Sequence, residues 1–90
     1  MLILIRRKSE SIVFGRRIEL KLVDIHEQSV DVDISELNER IATHINLPLQ
    51  QFVRISKGIL ATLVAVTHER VKIGIHCDDE IVIERGELIS

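Results

Sequence analysis

The chain has 90 residues, 46% of them apolar and 2% aromatic, and twelve Lys and Arg stand against fourteen Asp and Glu for a net charge of −2. This composition describes one domain at most, with a small aliphatic core, and excludes a globally basic nucleic-acid binder, so any anion site must come from a local patch. A single cysteine, Cys77, excludes an intrachain disulfide framework, and no apolar stretch is long enough to span a membrane, so a cytoplasmic protein is expected.

The chain opens on Met1-Leu2-Ile3-Leu4-Ile5-Arg6-Arg7, an apolar run that ends in two arginines. It lacks the basic segment and small-residue cleavage site of a signal peptide and reads as a strand over 1–7 that must be paired and covered to be soluble. Lys8-Ser9-Glu10-Ser11 is a polar turn, and Ile12-Val13-Phe14 resumes the strand pattern as far as Gly15. Ile18, Leu20, Leu22, Val23 and Ile25 then mostly alternate with charged residues. A turn at 26–29 follows, and Val30, Val32 and Ile34 alternate on the way back, which is the pattern of a hairpin.

Ser35 can cap a helix, with Leu37, Ile41 and Ile45 at i, i+4 and i+8 and Glu36 near its start, so the spacing predicts a helix over 35–46 that Pro48 stops, unless Pro48 opens a second short turn capped by Asn46. Beyond it, Ile59, Ala61, Leu63, Val64 and Val66 alternate. A turn at 67–70 leads to Val71, Ile73 and Ile75, and after Cys77-Asp78-Asp79 a last strand carries Ile81, Val82 and Ile83 into Arg85. Sliding 18–34 by 41 positions lays Ile18 on Ile59, Leu22 on Leu63, Val30 on Val71 and Ile34 on Ile75. Two alternating hairpins of equal length match in this way, and so does an internal duplication with 35–53 as its connector. The expected fold class is thus mainly β with one internal α-helix.

The opening MLILIRR, the turn with Glu10 and Ile12-Val13-Phe14-Gly15, together with the closing Val71-Lys72-Ile73-Gly74-Ile75 and Ile81–Leu88, resemble the CsrA/RsmA carbon storage regulator family. The resemblance implies a small antiparallel, barrel-like β-protein forming an intertwined homodimer, in which the first strand of one subunit pairs with the last strand of the other. It implies a post-transcriptional regulator that binds GGA-containing messenger-RNA leaders or small RNAs, and it permits a flagellar assembly protein as antagonist. Independently of it, the chain shows no glycine-rich phosphate loop, paired carboxylates or serine nucleophile elbow, so no cofactor, metal or enzymatic activity is expected. The family's RNA surface falls here on Leu4, Ile5, Arg6 and Arg7 of the first strand and on Ile83, Glu84 and Arg85 of the last strand contributed by the second subunit. Such a surface suits loop bases, whose exposed edges main-chain groups read while arginine forks meet phosphates and base acceptors.

The chain departs from the family pattern at several points. Ile5 stands where a hydroxyl is usual and Ser9 where a glycine is usual, Glu84 and Asp78-Asp79 add negative charge, and residues 16–53 read as an inserted hairpin and helix within a single 1–90 domain. Taken without the family, Arg6 and Arg7 are a charged strand end that blunts an edge, and Arg85 is a surface arginine paired with Glu84 or Glu87. Arg16, Arg17, Arg54 and Lys57 are solvated charges or an extension of the basic patch. His26, His44, His68 and His76 have no ligand spacing, and Cys77 has no neighbouring cation to favour its thiolate. Two readings follow: an RNA-binding regulator, and a relative that keeps the scaffold but has turned to a protein partner.

Overall fold

The computed structural model describes residues 1–88, which form nine strands and a closing 3₁₀ turn. The strands are β1 Leu2–Arg7, β2 Ser11–Phe14, β3 Ile18–Ile25, β4 Ser29–Glu36, β5 Ala42–Pro48, β6 Phe52–Ser56, β7 Ile59–Thr67, β8 Arg70–Cys77 and β9 Ile83–Arg85, and the turn is Gly86–Leu88. All hydrogen-bonded strand pairs are antiparallel. They form a four-stranded sheet in the order β1-β8-β7-β6 and a five-stranded sheet in the order β5-β4-β3-β2-β9.

The expected helix over 35–46 is absent, and no α-helix occurs among the described residues. Its stripe of Leu37, Ile41 and Ile45 is spaced by four, which also suits a strand, where every second residue shares a face. Ile45 and Leu47 follow the strand reading: Leu47 is buried and Ile45 packs against the core, whereas Ile41 is 81% exposed and Leu37 lies in the turn before β5. Thr43 and Ile45 are β-branched, and the waiting edge of β4 supplies the hydrogen bonds. Pro48, expected to stop a helix, instead ends β5, an outermost strand, where a missing N–H is tolerated.

The 41-residue offset extends well beyond the two hairpins. It carries β1 onto β5, β2 onto β6, β3 onto β7 and β4 onto β8. The register of β3 against β4 shifts between Leu22 and Asp24, and that of β7 against β8 shifts between Leu63 and Ala65, so the extra residues Val23 and Val64 are 41 positions apart. Ser9 and Gln50 take up the same left-handed backbone, with φ of 75° and 62°, and donate their N–H to the carbonyls of Leu22 and Leu63 at 2.9 and 2.8 Å. Matching apolar phase alone does not reproduce a bulge and a strained turn at the same offset.

The halves also exchange their first strands. β1 pairs with β8, Leu2 opposite Ile75 and Arg7 opposite Arg70, while β5 pairs with β4, Thr43 opposite Ile34 and Pro48 opposite Ser29. One core lies between the sheets, built from Ile12, Phe14, Leu20, Leu22, Val30, Val32 and Leu47 on one side and Ala61, Leu63, Val71, Ile73 and Ile75 on the other.

Two outcomes are expected for stability. Phe14, 1% exposed, is the largest fully buried side chain. Truncating it to Ala should cost about 3–5 kcal/mol, read from urea denaturation. Ser9→Gly and Gln50→Gly should each stabilise the fold by about 0.5–1 kcal/mol, because an L-residue at positive φ is strained by slightly more than glycine loses in entropy.

Candidate nucleic-acid interface

Strand alternation sends the four candidate residues of β1 to two sides. Leu4 packs against the core and Arg6 is 5% exposed, whereas Ile5 and Arg7 face outward. Burying a guanidinium requires partners for its donors, and Arg6 has them. Its Nη1 donates to Glu87 Oε2 at 2.8 Å and Oε1 at 3.1 Å and reaches the Ser11 carbonyl at 3.3 Å, while its Nε donates to the Ile5 carbonyl at 2.8 Å. Glu87 belongs to the closing 3₁₀ turn, so this ion pair ties the first strand to the end of the described chain.

The turn can approach this closely because Gly86 has no side chain: a Cβ there would overlap Ser11 Oγ. The Arg6 hydrogen bonds hold the Glu87 carboxyl below its ordinary value of 4.5, and the charge of Arg85 acts in the same direction. The other side of the β1 turn is fixed by Glu10, whose Oε1 accepts the Arg7 N–H at 2.7 Å.

β9 completes the site. Ile83 pairs with Phe14 and packs against the core, Glu84 pairs with Val13, and Arg85 pairs with Ile12 at the end nearest the 3₁₀ turn. The Arg85 side chain is exposed. Glu84 is engaged by Arg16, its Oε1 accepting from Nε at 3.1 Å, so its charge beside the site is offset. Neither Arg7 nor Arg85 forms an ion pair among the described residues. The structure thus brings β1 and the β9 end together at one corner. It leaves two guanidiniums open to solvent and commits the third to Glu87.

The closing strand does not pair with the first. β1 hydrogen-bonds to β8 and β9 to β2, both within the chain. Ser9 keeps the left-handed turn that a glycine would take more easily.

Residues 1–39 match the model of the CsrA family, a global regulator protein family. The N-terminal part of the chain is CsrA-like. The match runs through β3 and β4, residues that the sequence alone assigns to an insertion. It supports a regulatory, RNA-binding role at the level of the family. No curated protein and no solved structure matches the chain.

Sequence reasoning passed over two cations. Lys72 and Arg70 of β8 stand directly opposite Ile5 and Arg7 and are exposed beside them. The Lys72 of Val71-Lys72-Ile73-Gly74-Ile75 alternates with the buried Val71 and Ile73, which was the available signal.

The Arg6–Glu87 tie predicts a pH dependence. Because the Glu87 pKa is depressed in the folded state, its contribution is present above the unfolded value near 4.5 and is lost as the pH falls through the lower folded value. Glu87→Gln should lower the melting temperature at pH 7, and the gap from the unaltered protein should close in acid below pH 4.5.

Proposed function

We propose that the chain is an RNA-binding post-transcriptional regulator that recognises GGA-containing stem-loops in messenger-RNA leaders or small RNAs at the corner of β1 and β9. The observation that carries this reading is the pair of exposed guanidiniums at the two ends of the Arg6–Glu87 tie, Arg7 next to Arg6 on the strand with which the CsrA-like segment begins and Arg85 two residues before Glu87. Phosphates and guanine acceptors suit such forks, and the free edge of β1 offers main-chain groups to unstacked loop bases. Ile5 supplies an apolar contact where the family usually has a hydroxyl, so base recognition relies on main-chain groups and the two arginines.

In this reading the two subunits of the intertwined dimer correspond to the two halves of one chain, related by the 41-residue offset, and not to one domain with an insertion at 16–53. The protein acts in the cytoplasm, where messenger-RNA leaders are found.

A labelled hairpin with GGA in its loop should bind, and the same hairpin with the trinucleotide replaced should bind far more weakly. Arg85→Ala and Arg7→Ala should each weaken binding by roughly ten- to a hundredfold, the worth of a charged hydrogen bond, with an unchanged melting temperature. Weak binding that is indifferent to the loop trinucleotide would dismiss the reading.

A further inference from the structure

The two sheets have opposite charge. The strands of the four-stranded sheet carry Arg6, Arg7, Arg54, Arg70 and Lys72 and no Asp or Glu. The strands of the five-stranded sheet carry Glu19, Asp24, Asp31, Asp33, Glu36 and Glu84 against Lys21 and Arg85. The difference falls on equivalent positions: Lys72 corresponds to Asp31, Arg70 to Ser29, and Arg7 to Pro48.

On the acidic sheet, Asp31 Oδ2 is bonded to His26 Nε2 at 2.7 Å and Oδ1 accepts from Asn46 Nδ2 at 2.9 Å. Asp33 is bonded to His44. This face is a carboxylate network at the place where the other face is open and cationic.

The outward surface of the four-stranded sheet can be followed through its registers. Arg7 lies beside Arg70, Ile5 beside Lys72, and Ile3 leads through Gly74 and Thr62 to Phe52, with Arg54 next along β6. Ile3, Ile5 and Phe52 are each about half exposed, at 47%, 51% and 56%. The Met1 side chain lies over Gly74, and Thr62, paired with Gly74, has an Oγ1 that is buried with no hydrogen-bond partner among the described residues. Carboxylates lie beyond the strands, at Glu10 on the Arg7 N–H, Glu69 in the β7–β8 turn and Asp78-Asp79 after β8.

We propose that this outward face is the bed of a single RNA strand, continuous with the β1–β9 corner, and that one chain therefore takes one RNA. The proposal rests on the RNA-binding reading above. Cations spaced along the strands neutralise phosphates, and the half-exposed Ile5 and Phe52 give unstacked bases an apolar and aromatic floor. Met1, at the edge of this face, is 67% exposed. The equivalent face of the other sheet repels the same strand through Asp24, Asp31 and Asp33.

The test is a titration of the full chain with a short GGA hairpin carrying a single-stranded extension, read by native mass spectrometry and by affinity across a salt series. One RNA per chain is expected. Lys72→Ala and Arg70→Ala should each flatten the logarithmic salt dependence by roughly 0.7, one phosphate contact to a single strand, and Phe52→Ala should weaken binding by about fivefold or more. Asp31→Ala should leave affinity unchanged.

Two RNAs on the unaltered chain would overturn the inference. So would full affinity in the Lys72, Arg70 and Phe52 variants while Arg85→Ala still weakens binding, and the corner reading would then survive. A chain that binds no GGA hairpin at all removes the corner reading itself. Concentration-dependent self-association through this face, abolished by Asp31→Lys, would assign it to a second copy and overturn the proposal.

Discussion

The fold depends on the exchange of first strands between its two halves. Six residues of largely apolar strand at the N-terminus have no hydrogen-bond partner within their own half. β1 finds one in β8, and β5, at the equivalent place in the second half, finds one in β4. Each exchanged strand covers part of the other half's apolar layer, Leu4 beside Ile73 and Leu47 beside Val30, so the core is continuous across both sheets. A half of this length could not bury enough surface alone. Joining the halves in one chain makes the pairing intramolecular and independent of concentration, whereas association of separate subunits depends on it.

The two hairpins could be read directly from the residues because their inward positions are aliphatic and most of their outward ones polar, and the opening strand could be read from its unbroken apolar run. The helix was misread because a spacing of four is shared by two periodicities, and the deciding influence, the unpaired edge of β4, lies outside the local sequence. Which strand pairs with β1 was equally hidden. The resemblance pointed to a closing strand from another polypeptide, whereas β1 pairs with residues 70–77 of its own chain. At the site, alternation separates Arg6 from Arg7, but the inward arginine's counterion, Glu87, lies 81 residues away and only the fold reveals it.

The near-zero net charge concealed the division between the sheets. In a dimer of identical subunits, every surface substitution appears twice, so a change that favours a ligand on one face is imposed on the other. Two halves in one chain are released from that coupling. Lys72 and Asp31 are equivalent in register and opposite in sign, and so the sum over the chain is close to neutral although each sheet is strongly biased. A composition argument cannot see such a division, because it averages over the two faces that the fold separates.

The same reasoning decides which arginines set the field at the corner. Arg6 and Glu87 together are close to electrically neutral, and Lys8 faces Asp24 at 3.7 Å. What remains uncompensated is Arg7 with Arg70 and Lys72 along the β1–β8 edge, and Arg85 where β9 meets it. Buried and locked, Arg6 acts by placement: it fixes the carboxylate arm that brings Arg85 to β1. The exposed cations supply the potential an anionic strand would meet, and in water their pull is screened beyond about 10 Å at 0.1 M salt. Only a ligand lying directly along the sheet can engage all of them at once, which favours an extended single strand over a compact anion.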